Sequence, residues 1–431
     1  MAIDIQGLGL KLATRFSGSD FANRYGLRKR SEELAYQSTK KGFEALSAQL
    51  KKRKAKEPAL LPAPAHKGVF DLTLSDEQQM IKDSLQAYAS EVIRPLAHDA
   101  NEAMTLPDRF LEDLMDIGVN MFSVPEEMGG VAQGWSPITS AIIAEELARG
   151  DFSLAYAALA PVAVANAIVK WGTKAQQEQI LPRYLSDTPI KATIAAQELN
   201  TPDQTALLTK ARKTRKGYRL NGIKTMVPFG GQADLYLVSA RVGLANHTRL
   251  FLVDGKTAGV SFKASAAMGL RACGLGQLKL KNVDVSANAL LGDERFDYQA
   301  FQTFGQLHWC AMAVGACQAA LDYVVPYVND REAFGEPISH RQSVAFMVAD
   351  LAIELESMRL LVWRAAALAE EGKPCQRQAY LAHIFCTEKA MKIGTDAVQL
   401  LGGHGFTKEH PAERWYRDLR VLACVNSGMH L

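Results

Sequence analysis

The sequence predicts an α+β protein, mostly α: an N-terminal helical domain, a small middle β-domain and a C-terminal four-helix-bundle domain. Three observations carry this. Apolar residues recur at helical spacing over 71–189, the period changes to two over 190–293, and helical spacing returns over 294–431. Strands and helices do not alternate as βαβ units, which argues against a doubly wound dinucleotide fold. A length of 431 residues suits about three such domains.

Residues 1–70 read as a basic extension and linker. The first 57 residues hold thirteen Lys or Arg against six Asp or Glu, and Lys51-Lys52-Arg53-Lys54 is followed by Pro58, Pro62 and Pro64. This is the pattern of a solvated arm, or of one that docks on an acidic partner or a membrane surface as a peripheral contact. The whole chain carries only +3, so the body is mildly acidic and no nucleic-acid partner is expected.

Helical signals begin at Ser75, which precedes Asp76 and Glu77. Met80, Ile81, Leu85, Tyr88, Ala89 and Val92 then fall on one face. Further helices are predicted over 109–115, 136–149, 154–171 and 175–185. Strands are predicted over 210–226, 234–241, 250–253, 260–262 and 277–283, with turns at Asn221-Gly222, Gly230-Gly231 and Asp254-Gly255. Long helices are predicted over 306–328, 339–371 and 376–401.

The six cysteines form no CxxC pair and most lie in apolar runs, as free thiols of a reducing compartment do, so a cytoplasmic location is expected. Asp4, Asp20, Glu32 and Glu33 argue against a mitochondrial targeting segment. No apolar run reaches the roughly 18 to 20 residues that span a bilayer. No metal cluster, P-loop, HExxH, GxSxG or post-strand GxGxxG is present, so short catalytic motifs do not give the function.

Longer segments do. Leu74-Ser75-Asp76-Glu77-Gln78, Pro125-Glu126-Glu127-Met128-Gly129-Gly130, Glu145-Glu146-Leu147-Ala148-Arg149 and Gly172-Thr173-Lys174-Ala175-Gln176 stand in order. Asp330-Arg331-Glu332-Ala333-Phe334-Gly335, Gln399-Leu400-Leu401-Gly402-Gly403-His404-Gly405-Phe406 and Glu413-Arg414-Trp415-Tyr416-Arg417-Asp418 follow. Together, over about 72–420, they resemble the acyl-CoA dehydrogenase superfamily. The resemblance implies FAD as cofactor, an acyl-CoA substrate, α,β-dehydrogenation, an electron-transfer flavoprotein as acceptor, and a homodimer or homotetramer paired through the C-terminal helices. It assigns the ADP half of FAD to Arg331, Phe334, Gln342, Gln399, Gly402 and Gly403. A guanidinium binds phosphate oxygens bidentately, and glycines let backbone N–H groups approach. Gln197, Met226 and Pro228 fall on the flavin side.

The chain departs from the family at three places. Where members read T-E-P-x-x-G-S-D, only Glu198 and Asp203 echo the pattern. Where members carry an aromatic-x-Ser/Thr run, this chain reads Met226-Val227-Pro228, and proline offers neither hydroxyl nor N–H. The base that removes the α-proton is a Glu in most members. Its two family positions here are Asn426 and Gly305, the latter followed by Gln306. His308 is the nearby substitute on the same helix face, and His430 reads as a frayed tail residue. Two alternatives stay open: a homologue that keeps the frame without dehydrogenation, as a structural or regulatory subunit, and a related flavin-dependent oxidase or monooxygenase.

Overall fold

The computed structural model describes residues 73–132, 134–198, 207–243, 247–425 and 428–431. The extension 1–70, Asp203 and Asn426 therefore lie outside the described residues.

Ser75 starts the first helix through a reciprocal cap. Its hydroxyl accepts from the Gln78 N–H, and the Gln78 side chain accepts from the Ser75 N–H. Helices α1 (Asp76–Tyr88), α2 (Arg94–Ala103), α3 (Phe110–Asp116), α4 (Pro137–Gly150), α5 (Phe152–Trp171) and α6 (Lys174–Ile180) build the first layer. One expectation fails here. Helix α5 and the later α7 (Tyr298–Asp330) are both long and apolar enough to cross a membrane. The apolar residues of α5 run all round the helix because neighbours pack on every side, burying it from Phe152 to Ile168.

The middle domain is a seven-stranded sheet of β1 (Ala192–Ala195), β2 (Lys210–Thr214), β3 (Gly217–Val227), β4 (Leu235–Val242), β5 (His247–Asp254), β6 (Val260–Ala264) and β7 (Gly276–Ser286). β4 is its hub. It pairs parallel with β1 at one end and β2 at the other, and antiparallel with β5. Lys224 on β3 lies wholly buried beneath the sheet, 2.7 Å from the Glu198 carboxylate.

The C-terminal domain holds α7, α8 (Gln342–Glu370), α9 (Gln376–Leu401) and the short α10 (Ala412–Asp418). Helix α7 starts eight residues earlier than its apolar run suggests. The Asp297 carboxylate accepts from the Gln299 and Ala300 N–H groups, a cap that the periodicity does not reveal. α7 crosses α4 in backbone contact at Gly315, where a Cβ would stand 1.9 Å from the Glu145 carbonyl oxygen. Ion pairs flank the crossing: Arg149 to Asp322 at 2.6 Å and Arg359 to Glu145 at 2.8 Å. Arg414 pairs with Asp151, which also caps α5, so the last helix is tied to the first domain.

Candidate functional site

Helix α7 delivers Arg331 to its C-terminal cap, and the chain then turns through a hairpin of β8 (Glu332–Ala333) and β9 (Glu336–Pro337). The two turn residues, Phe334 and Gly335, both have positive φ, at 57° and 84°. Such a turn matches strand twist but strains a phenylalanine. The Phe334 ring at this turn is 96% exposed, with the Arg341 guanidinium 5.7 Å from its centroid. The end of α9 faces this hairpin. Between them lies a cavity of about 930 Å³ lined by Tyr327, Arg331, Phe334, Arg341, Gln399, Gly402, Gly403 and His404, among others.

Five of the six residues expected to bind the ADP half thus meet at one cavity. Gln342 instead opens α8 and does not line it. The donor set suits a dinucleotide. Arg331 has no hydrogen-bond or ion-pair partner for its guanidinium among the described residues, whereas Arg341 is held by Glu336 at 3.0 Å. A Cβ on Gly402 or Gly403 would meet nothing within 4 Å, so any side chain there would fill the space a ligand needs. Tyr327, Arg341 and His404 were not anticipated. Tyr327 sits one helical turn before Arg331, and His404 directly follows Gly403; both proximities are visible in the sequence.

The flavin-side residues are arranged differently. Met226 has a φ of 58°, and its carbonyl accepts from the Tyr156 hydroxyl at 2.8 Å. Pro228 is buried just past β3. The Gln197 amide donates to the Cys424 carbonyl at 2.7 Å, so it holds the chain's own backbone.

His308 is buried on α7. Its Nδ1 meets the His430 carbonyl at 3.1 Å, and its Nε2 has no protein partner. Burial, only partly offset by that hydrogen bond, pulls its pKa down to about 4. The ring lines a second cavity of about 380 Å³ with Ser123, Trp135, Thr139 and Ser140. None of Gln197, Met226 or Pro228 lines this cavity, so the substitute base and the flavin-side residues do not share one space.

His430 is not a frayed tail residue: it is wholly buried, with Met429 and Leu431. Its ring packs against Trp135, Phe301 and Phe304, and Trp171 donates to its Nε2 at 3.3 Å. Burial, with Lys170 next, pulls its pKa to about 3. The segment stays in because its carbonyls are satisfied. His383 meets the Val425 oxygen, Asn166 and His308 meet that of His430, and Trp135 donates to that of Leu431. Met429, His430 and Leu431 are therefore held in the core, with the His430 ring against Phe304, next to Gly305.

Models of the acyl-CoA dehydrogenase N-terminal, middle and C-terminal domains match residues 75–188, 197–283 and 299–426. The mitochondrial short-chain specific acyl-CoA dehydrogenase of Bos taurus is 32% identical over 360 residues, covering 81% of this chain and 86% of that protein. The structure of butyryl-CoA dehydrogenase from Megasphaera elsdenii superposes with a TM-score of 0.77 at 28% identity, covering 83% of this chain and 96% of that one. A glutaryl-CoA dehydrogenase–glutaryl-CoA complex superposes with a TM-score of 0.76 at 27% identity, over 83% and 93% of the two chains.

Proposed function

Because the chain belongs to the acyl-CoA dehydrogenase family, whose members are FAD-dependent, we propose that it oxidises a fatty acyl-CoA at its α,β-bond and passes the electrons to an electron-transfer flavoprotein. The observation that carries this is the convergence of Arg331, Phe334, Gln399, Gly402 and Gly403 on one cavity. The relatives' names favour a short acyl group.

Bound FAD would supply the acceptor for the β-hydride. The chain's own residues do the rest. Arg331 pairs with phosphate oxygens, and the backbone at Gly402 and Gly403 admits the ligand closely. The Phe334 ring shields a planar group from water. The exposed apolar residues Phe346, Ile353 and Leu360, spaced by seven on α8, and Tyr380, Leu381 and Ile384 on α9 offer the face for a homodimer or homotetramer. An acidic partner or a membrane surface is proposed for residues 1–70. The six free thiols suit a cytoplasmic location.

A second reading is favoured by two specific observations: a homologue that binds FAD without dehydrogenating. Neither Gly305 nor Asn426 brings a carboxylate, and the His430 ring packs against Phe304, beside Gly305. Anaerobic addition of an acyl-CoA panel to the FAD-loaded protein separates the two. Bleaching of the visible flavin band supports dehydrogenation. A band that no acyl-CoA bleaches, but that bleaches in Asn426→Glu, assigns the loss to the base alone. A band unchanged in both supports the second reading.

A further inference from the structure

The hydrogen bonds around His404 favour one placement of its ring proton. The Tyr327 hydroxyl contacts two groups, the Leu401 carbonyl at 3.2 Å and His404 Nδ1 at 2.8 Å. A hydroxyl has one proton, and a carbonyl can only accept. Leu401 ends α9 and caps the 3-10 turn Gly402–Phe406, and its carbonyl has a second lone pair for the Tyr327 hydroxyl. Both bonds form together in one arrangement: Tyr327 donates to Leu401, and His404 Nδ1–H donates to Tyr327. The Nε2 of the neutral ring is then an acceptor.

The ring is also held in place. His410 stacks on it, with centroids 5.1 Å apart and planes 15° from parallel. His410 is itself tied through Nδ1 to the Tyr323 hydroxyl at 2.7 Å. Tyr327 stands edge-on to both imidazoles. So His404 lines the 930 Å³ cavity as a pre-positioned acceptor. Its neighbours there, Arg331, Arg341 and the Gln399 amide, offer donors suited to phosphate.

We propose that His404 Nε2 accepts a hydrogen bond from the adenosine of the bound dinucleotide and so selects for that nucleoside. This rests on the reading that the cavity takes the ADP half of FAD. An adenosine offers two kinds of donor, the exocyclic amine of the base and the ribose hydroxyls. Phosphates offer none. His404 therefore reads the nucleoside, while Arg331 reads the charge.

The test is calorimetric titration of the full chain, freed of flavin, with ADP, IDP and 2′-deoxy-ADP. The wild type is expected to bind ADP about fivefold more tightly than at least one analogue, the size of one neutral hydrogen bond. Weaker IDP binding places the bond at the base amine; weaker 2′-deoxy-ADP binding places it at the ribose. In His404→Phe the preference disappears while ADP still binds. His410→Phe, which leaves the acceptor in place, keeps the direction of the preference. Equal affinity of the wild type for all three nucleotides overturns the assignment, as does an unchanged preference in His404→Phe. If the wild type binds no ADP at all, the cofactor reading falls and takes this inference with it.

Discussion

Replacing Lys224 by Met should cost about 3–5 kcal/mol, the scale for breaking a buried ion pair. The side chains of Lys224 and Glu198 are 0% and 3% exposed. The ammonium meets Glu198 Oε1 at 2.7 Å, Ser239 Oγ at 2.9 Å and the Ala196 carbonyl at 3.3 Å. Glu198 also accepts from the Leu208 N–H, the Thr209 N–H and the Thr209 hydroxyl. Lys224→Met leaves that carboxylate buried with three donors and no counter-charge. Glu198→Gln leaves the ammonium uncompensated and turns an amide NH₂ toward donors, at a similar cost. In the double variant neither charge remains, so its loss should fall short of the sum of the singles by about 2 kcal/mol or more. Urea unfolding at pH 7, followed by circular dichroism, measures all four proteins. Additivity within about 0.5 kcal/mol would refute the reasoning. The pH dependence adds a check. Burial outweighs pairing and lowers the Lys224 pKa from 10.5 to about 8. Between those values the unfolded chain binds more protons, so wild-type stability relative to Lys224→Met should rise with pH.

Three further outcomes follow from particular contacts. Gly403→Leu should leave the melting temperature unchanged but weaken FAD binding at least tenfold, measured by flavin fluorescence, because its side chain enters the open cavity. Gly315→Ala should destabilise the chain by about 3 kcal/mol in urea unfolding, since its Cβ would collide with the Glu145 carbonyl where α4 and α7 cross. His308 and His430 are held neutral, with pKa values of about 4 and 3 against an ordinary 6.5. The unfolded chain binds more protons below pH 6.5, so each should remove about 2 kcal/mol of stability by pH 5. Glu146 and Asp418, both raised to about 7 by burial, act in the opposite sense. The comparison is therefore between wild type and His308→Phe, whose unfolding midpoint should fall less steeply on acidification.

Local signals made much of this protein legible. Ser75 before Asp76 and Glu77 announced the start of α1, and the change of period near residue 190 announced the sheet. The cavity could be read from two short segments, 330–335 and 399–406, because each delivers neighbouring residues to the same space. What escaped depended on distant partners. Asp297 extends α7 beyond its apolar run through a cap. His404 becomes informative only once Tyr327 and His410 stand beside it. His430 reads as a chain-end residue until Trp135, Trp171 and Phe304 surround it, and Trp135 is nearly 300 positions away. That α5 and α7 are apolar enough to cross a membrane yet lie in this fold is not visible locally, because a core helix and a membrane span share one composition.

Titration of the flavin-free full chain with FAD, alongside Arg331→Met, tests the central assignment most directly. One FAD per chain is expected, with an affinity about 10- to 100-fold weaker in the variant, the scale of a lost charge-assisted hydrogen bond to phosphate. Failure of the wild type to bind FAD, or equal affinity in Arg331→Met, would contradict the assignment.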